Sequence, residues 1–214
     1  DDGWALLEQL DLGDIIGVDG LLGRTKTGEV TLWARKLTML CKSLHPPPEK
    51  WHGLQDVDLR YRRRYLDLLS NPDVMRVFKA RSRIVDAVRG CLTSLGFLEV
   101  ETPVLQTIAG GAAARPFVTH HNTLDLDLYL RISLELHLKR LLVGGMERVF
   151  EINRNFRNEG ISTRHNPEFT MMECYQAYGD LSDMMNIVEG IVSAAIDATG
   201  GGFKRKFLDH ELDF

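Results

Sequence analysis

Along residues 148–158 apolar and polar side chains alternate. Phe150, Ile152 and Phe156 fall on one parity with Arg148 and Arg154, while Glu151, Asn153, Asn155 and Arg157 fall on the other with Val149. Successive strand side chains point to opposite faces, so the segment reads as a strand with one nearly all-polar face. A second strand follows, with Phe169, Met171, Glu173 and Tyr175 on one parity against Thr170, Met172, Cys174 and Gln176. The connection at residues 158–167 is too long for a two-residue hairpin turn and carries Gly160 and Pro167 as breakers. An ordinary amphipathic hairpin with a solvated polar face produces the same alternation. Glu173 and Tyr175 beside Phe169 suit neither plain solvent nor plain core, so a binding site on this face is the alternative.

Upstream, Asn71-Pro72-Asp73 makes a helix start: Asn71 can cap, Pro72 suits the first helical position, and Asp73 complements the positive helix end. Val74, Phe78, Arg81, Ile84, Val85, Val88, Leu92 and Leu95 then recur at mostly helical spacing, up to a stop near Gly96. Residues 97–100 read as a strand ended by Pro103, residues 129–132 as another, and residues 133–143 as a helix closed by Gly144-Gly145. A further helix is expected around residues 59–69. Nearer the start, residues 14–44 hold short apolar runs (IIGV, LLG, VTLWA, LTMLC) between glycine-containing turns, the pattern of about three strands. The proline-rich stretch HPPPE, residues 45–49, divides the chain.

Composition changes this picture little. With 44% hydrophobic residues among 214 the chain has material for one large domain or two modest ones. A net charge of -4 gives no overall basic signature, although RNA recognition can rest on local patches. The one dense basic run, Arg60, Arg62, Arg63 and Arg64, reads more readily as a solvated or interdomain helix face than as a nucleic-acid contact. Cys41, Cys91 and Cys174 have no metal-like spacing and make no disulfide framework, which suits reduced thiols in a cytoplasmic protein. No secretory or membrane-spanning run is visible, so a soluble chain is expected. Neither a GxxxxGK[ST] loop nor a GxGxxG fingerprint is present.

The run FRNEG followed by RHNPEFTMMECY, within residues 154–175, resembles the second signature motif of class II aminoacyl-tRNA synthetases, in the form typical of lysyl-tRNA synthetases. The resemblance covers nearly the whole chain: DLGDIIGVDG (11–20), RTKTGE (24–29), HGLQDVDLRYRRRYLDL (52–68), GGAAARPFVTHHN (110–122) and residues 141–159 are all similar to bacterial lysyl enzymes. LGFLEVETPVL resembles the first motif, which in that family builds a dimer interface. The implied fold class is α+β: a class II antiparallel sheet flanked by helices, preceded by part of an all-β OB-fold barrel. The implied organisation is a partial anticodon-binding barrel over 1–45, a linker over 46–70 and the N-terminal part of the catalytic domain over 71–214. An OB fold needs five strands, so that module is expected to be incomplete.

The resemblance implies activation of lysine by ATP to lysyl-adenylate, followed by transfer to tRNA(Lys), in a cytoplasmic homodimer that pairs through the first motif. Arg157 matches the arginine that lies between carboxylate and α-phosphate, a role suited to a permanently charged planar fork, and is the candidate catalytic residue. Phe169 matches the residue that stacks on adenine, with Glu159, His165 and Asn166 in the loop covering the nucleotide. For His165, a turn-stabilising role before Asn166-Pro167 is an equal alternative. Glu135 matches the acid near the α-ammonium of lysine, and Glu173 and Tyr175 match residues at its side-chain end. Glu135 read alone is a helix-start acid that complements the dipole, whereas a strand carboxylate beside aromatics calls for a cationic partner on physical grounds. Gly111, with Gly110 and Ala112 to Ala114, permits close backbone approach to the amino acid; a flexible surface loop is the plain alternative.

Leu134 and His137 replace a proline and a tyrosine common in the family, and are expected to tune packing rather than specificity. No third motif, with its glycine-rich strand and arginine-bearing helix, follows before Phe214. The resemblance implies Mg2+ in the full-length enzyme, with ligands outside this chain, and the chain is expected to be truncated at both ends and inactive by itself. Two alternatives follow: a non-catalytic lysine- or nucleotide-binding or dimerisation module, or a paralogue transferring lysine to a protein or lipid. Aspartyl and asparaginyl enzymes share the architecture but need a cationic pocket, against which Glu173 and Tyr175 argue.

Overall fold

A computed structural model describes residues 5–48, 53–162 and 164–214. Glu49, at the edge of the proline-rich stretch, and His52, which opens one of the matching runs, lie outside these residues. The chain divides into two compact units, Asp1–Phe78 and Lys79–Phe214.

In the first unit a short 3-10 turn, Leu6–Gln9, precedes an antiparallel hairpin of β1 (Ile15–Arg24) and β2 (Val30–Cys41). The apolar runs expected as about three strands thus merge into two long ones. Gly17 and Gly20 lie inside β1 rather than in turns. The register shifts between Asp19 and Gly20, and a Cβ at Gly20 would sit 2.0 Å from the Trp33 carbonyl oxygen, so only glycine lets β2 pass there. No closed barrel forms among the described residues. The open end of the hairpin is tied by Asp14. It accepts from the Asp11 and Ser43 amides at 2.8 and 2.7 Å and from Lys42 Nζ at 2.7 Å. Those donors, the Asp11 amide first, lower its carboxyl to about 2.

The helix expected around residues 59–69 is broken into α1 (Val57–Arg62) and α2 (Arg64–Ser70), with Arg63 between them at φ -117°, ψ 57°. In an unbroken helix residues seven apart lie about 10 Å apart along the axis. With the break, Arg60 Nε reaches the buried Asp67 carboxylate at 2.8 Å, and Arg64 pairs with it too. Burial pushes that carboxyl up, but the Asn71 amide and the Arg60 and Arg64 guanidiniums outweigh it and hold Asp67 below the usual range. Arg62 pairs with Asp58, and Arg64 lies 5.0 Å over the Tyr61 ring. Most of the basic run is thus satisfied within this unit. The Asn71 amide nitrogen goes to Asp67 at 2.7 Å, while Pro72 opens α3 (Pro72–Ser94) as its residues suggest.

The second unit carries the rest of α3 and the α+β architecture the sequence implies. β3 (Leu98–Glu99) runs parallel to β7 (Arg148–Phe156), which pairs antiparallel with β8 (Glu168–Gln176). A second sheet orders β4 (Leu105–Gln106), β6 (Leu126–Leu130) and β5 (Val118–His121). α4 (Glu135–Val143) precedes β7; α5 (Leu181–Thr199) and the hairpin β9 (Lys204–Phe207) and β10 (His210–Asp213) follow β8. One side of the β7–β8 pair presents Phe150, Ile152, Met172 and Cys174 to Leu92 of α3 and Ile187 of α5. The other presents Val149 and Tyr175 to Leu134 and Leu138 at α4. Each fully buried aliphatic or aromatic side chain contributes about 1.5–3 kcal/mol, so the helices clamp this pair from both sides. The strand expected at residues 129–132 starts earlier and ends at Leu130. The helix expected from Ser133 starts at Glu135, with Leu134 as its N-cap, whose carbonyl accepts the Leu138 amide at 3.3 Å.

Candidate functional site

The polar parity of β7 is not solvated. Glu151 is 1% exposed and Asn155 0%, which removes the ordinary-hairpin reading. The register pairs Glu151 with Glu173, Asn153 with Met171 and Asn155 with Phe169, and the Arg157 amide donates to the Pro167 carbonyl at 2.8 Å. Paired residues of an antiparallel ladder share a face, so Arg157, Phe169, Glu173 and Tyr175 stand on one side of the sheet. That is the side facing residues 131–135, where the chain leaves β6 and enters α4.

These connecting residues hold both ends of the site. Arg157 Nε donates to the Ile132 carbonyl at 3.3 Å, and its guanidinium carbon lies 5.2 Å over the Phe169 ring. Toward the other end of β8, Glu173 Oε1 accepts from Ser133 Oγ at 3.0 Å and from the Leu134 amide at 3.3 Å, and Oε2 accepts from Tyr175 Oη at 3.0 Å. All three donors are neutral, and among the described residues Glu173 forms no ion pair. Its charge is oriented but uncompensated. Burial first, and then the bond to Glu173, raise the Tyr175 phenol well above its ordinary value, so it stays a donor. Burial and the charge of Arg140 lower the His137 imidazole, which favours its neutral form.

Glu135 opens α4, where its amide donates to Ser133 Oγ at 3.2 Å and its carboxylate takes Lys139 Nζ at 2.6 Å. Gly111 sits beside it at φ +86°, where a Cβ would lie 3.1 Å from both Glu135 Cβ and Ser133 Cβ. Conformation and close approach both demand glycine there. Glu135, Glu173, Tyr175 and Gly111 therefore gather about Ser133.

At the other end, a pocket of about 270 Å³ is lined by Arg157, Glu159, Gly160, Arg164, His165, Asn166, Pro167 and Phe169. It contains all five candidate nucleotide residues. His165 Nδ1 and Ser162 Oγ are 2.8 Å apart, and the His165 and Ser162 backbones bond each other in both directions, so the histidine helps to shape the loop. Asn166 Nδ2 donates to the Glu168 carbonyl at 2.9 Å. The segment containing Gly111 reaches this end too: the Arg115 amide donates to Glu159 Oε1 at 3.3 Å, and its carbonyl accepts the Asn158 amide at 2.8 Å. Arg164, a second cation on the pocket wall, and Ser133, the hub of the other end, were not singled out by alternation. Ser133 precedes a helix and Arg164 lies in a loop, where no periodicity signals a facing direction. Among the described residues no group of three or more His, Cys, Asp or Glu is arranged to hold a metal ion, and no helix is long and apolar enough to cross a membrane.

The chain is 62% identical over 209 residues to a lysine–tRNA ligase of Dehalococcoides mccartyi, covering 98% of this chain and 42% of that relative. A lysine–tRNA ligase of Pelotomaculum thermopropionicum is 60% identical over 212 residues, covering 99% and 42%. One of Moorella thermoacetica is 65% identical over 190 residues, covering 89% and 39%. The chain thus spans about two fifths of the length of these curated relatives. Residues 56–213 match the model of the tRNA synthetases class II (D, K and N). That match takes in the β7–β8 pair, the loop between its strands and the connector that holds Arg157 and Glu173, and with it this chain belongs to the class II tRNA synthetases of the D, K and N group.

Proposed function

We propose that this chain is the part of a lysine–tRNA ligase that binds lysine and the nucleotide during activation. The carrying observation is that a guanidinium and an uncompensated carboxylate, Arg157 and Glu173, stand on one face of β7–β8 and are both held by residues 132–134. In the reaction a lysine carboxylate oxygen attacks the α-phosphorus of ATP and the bond to the β-phosphate bridging oxygen breaks. Lysyl-adenylate forms and pyrophosphate leaves. A ribose hydroxyl at the end of tRNA(Lys) then attacks the lysyl carbonyl and AMP leaves.

Arg157 neutralises the two anions that meet in the first step and acts by positioning and charge, not by proton transfer. Phe169 stacks the adenine on the ring face that Arg157 does not cover, with Glu159, His165 and Asn166 around it. Glu173, aimed by three neutral donors, takes the side-chain ammonium of lysine together with Tyr175. Glu135 takes the α-ammonium in exchange for Lys139, an exposed i,i+4 partner worth only about 0.3–0.5 kcal/mol, and Gly111 lets the backbone approach. The described residues offer no cluster for Mg2+, which the full-length enzyme would hold through residues outside this chain. A second copy docks along α3 and β3, where Leu95 and Leu98 are exposed. The β1–β2 hairpin belongs to an anticodon-binding barrel, and the reaction takes place in the cytoplasm.

The test is ATP–pyrophosphate exchange by the full-length gene product with single amino acids. Lysine supports exchange, and aspartate and asparagine do not. Exchange driven by aspartate or asparagine, or none with lysine, ends this reading.

A further inference from the structure

Arg131 is fully buried, and none of the roles above uses it. Its Nη1 donates to Glu151 Oε1 at 2.8 Å and to the Thr102 carbonyl at 3.0 Å, and its Nε to the Arg154 carbonyl at 2.8 Å. Its backbone amide donates to the Val104 carbonyl and its carbonyl accepts from the Phe156 amide, each at 2.9 Å. Glu151, 1% exposed, is held in turn by Thr102 Oγ1 at 2.6 Å and Asn153 Nδ2 at 3.1 Å. This one residue is therefore fastened to the segment after β3 and to the middle and end of β7.

A buried ion pair is a poor way to gain stability, because desolvating two charges offsets most of their attraction. What it provides is a fixed geometry in three directions, through a planar fork that no other side chain reproduces. The residues fixed are the ones that matter: Ile132, whose carbonyl orients Arg157, follows Arg131 directly, and Ser133 and Leu134, which orient Glu173, come next.

We infer that Arg131 is a positioning residue that sets the spacing between the nucleotide end and the amino-acid end of the site, through the connector 132–134. This rests on the proposed function only for its reaction assay. Arg131→Lys keeps the charge beside Glu151 but loses the fork. Misplacing reacting groups by about 1 Å can cost roughly 10²-fold. In the full-length gene product, R131K lowers kcat of lysine-dependent exchange by about 10- to 100-fold and leaves KM for ATP and for lysine within about threefold. The milder Thr102→Val, which removes only the hydroxyl between Arg131 and Glu151, lowers kcat by about 3- to 10-fold and decides the matter if R131K does not fold.

The Arg157 Nε–H signal in NMR gives a readout that needs no activity. In the unmodified protein it is protected by the Ile132 carbonyl; in the variants its solvent exchange quickens at least about tenfold. Unchanged kcat, a loss confined to KM, a lowered thermal midpoint with kcat intact, or unchanged protection at Arg157 each overturns the inference. Absence of lysine-dependent exchange in the unmodified protein ends the proposed function alone, and the Arg157 signal still decides this inference.

Discussion

Glu173, the cation site of the proposed function, is oriented by neutral donors. Two hydroxyls and one amide fix both of its oxygens without supplying positive charge. Glu173→Gln keeps size and several bonds but removes the charge. A hydrogen bond to a charged group is worth about 1.5–3 kcal/mol, so lysine affinity should fall by roughly 10- to 150-fold with ATP affinity nearly unchanged. Calorimetric titration of the full-length product with each ligand checks this, and an equal loss for both would contradict the assignment. Under the proposed function, Arg157→Ala removes a charge that acts as the two anions meet. Exchange should drop by about 10²- to 10³-fold in kcat, measured by the same pyrophosphate assay. The alternation in the sequence predicts which side chains share a face with Arg157. It is silent on Ser133, because a hydroxyl before a helix has no periodicity, and on whether the polar face is buried.

At the level of elements, α5 is specified locally. Asp180 accepts from the Ser182 and Asp183 amides at 2.8 and 3.1 Å, and the Asp183 carboxylate accepts the Asp180 amide at 2.9 Å, a reciprocal capping box. Asp180→Ala should cost about 1 kcal/mol, read as a lower urea midpoint with unchanged slope. A loss under a few tenths of a kcal/mol would mean that packing on Phe150, not the cap, holds the helix. β7 and β8 were legible because their period is strict. The β1–β2 hairpin was not, because glycines that usually mark turns here relieve a clash inside a long strand. The break at Arg63 was equally hidden, since it answers to a buried Asp67 that local propensity does not register.

At the scale of the molecule, two carboxyls among the described residues are held below their ordinary range, Asp14 and Asp67, and both lie in the N-terminal unit. A depressed carboxyl adds stability above its unfolded value and loses it as pH falls through the folded value. For Asp14 that window runs from the ordinary 3.8 down to about 2. Acidification over this range should therefore lower the protection of the Asp11 and Ser43 amides before it affects β7 and β8. A simultaneous loss in both units would contradict this.

The sequence by itself determined the strand pair, the α3 start, the α+β class and the family, because side-chain period, proline chemistry and long exact motifs are local properties. It also named the residues that gather at the two ends of the site. Only the tertiary structure decided that the polar strand face is buried, that residues 132–134 hold Arg157 and Glu173 together, and that a buried Arg131–Glu151 pair fixes that connector. Those facts depend on which segments meet in space. Hydrogen bonds between residues tens of positions apart leave no period in the chain that makes them.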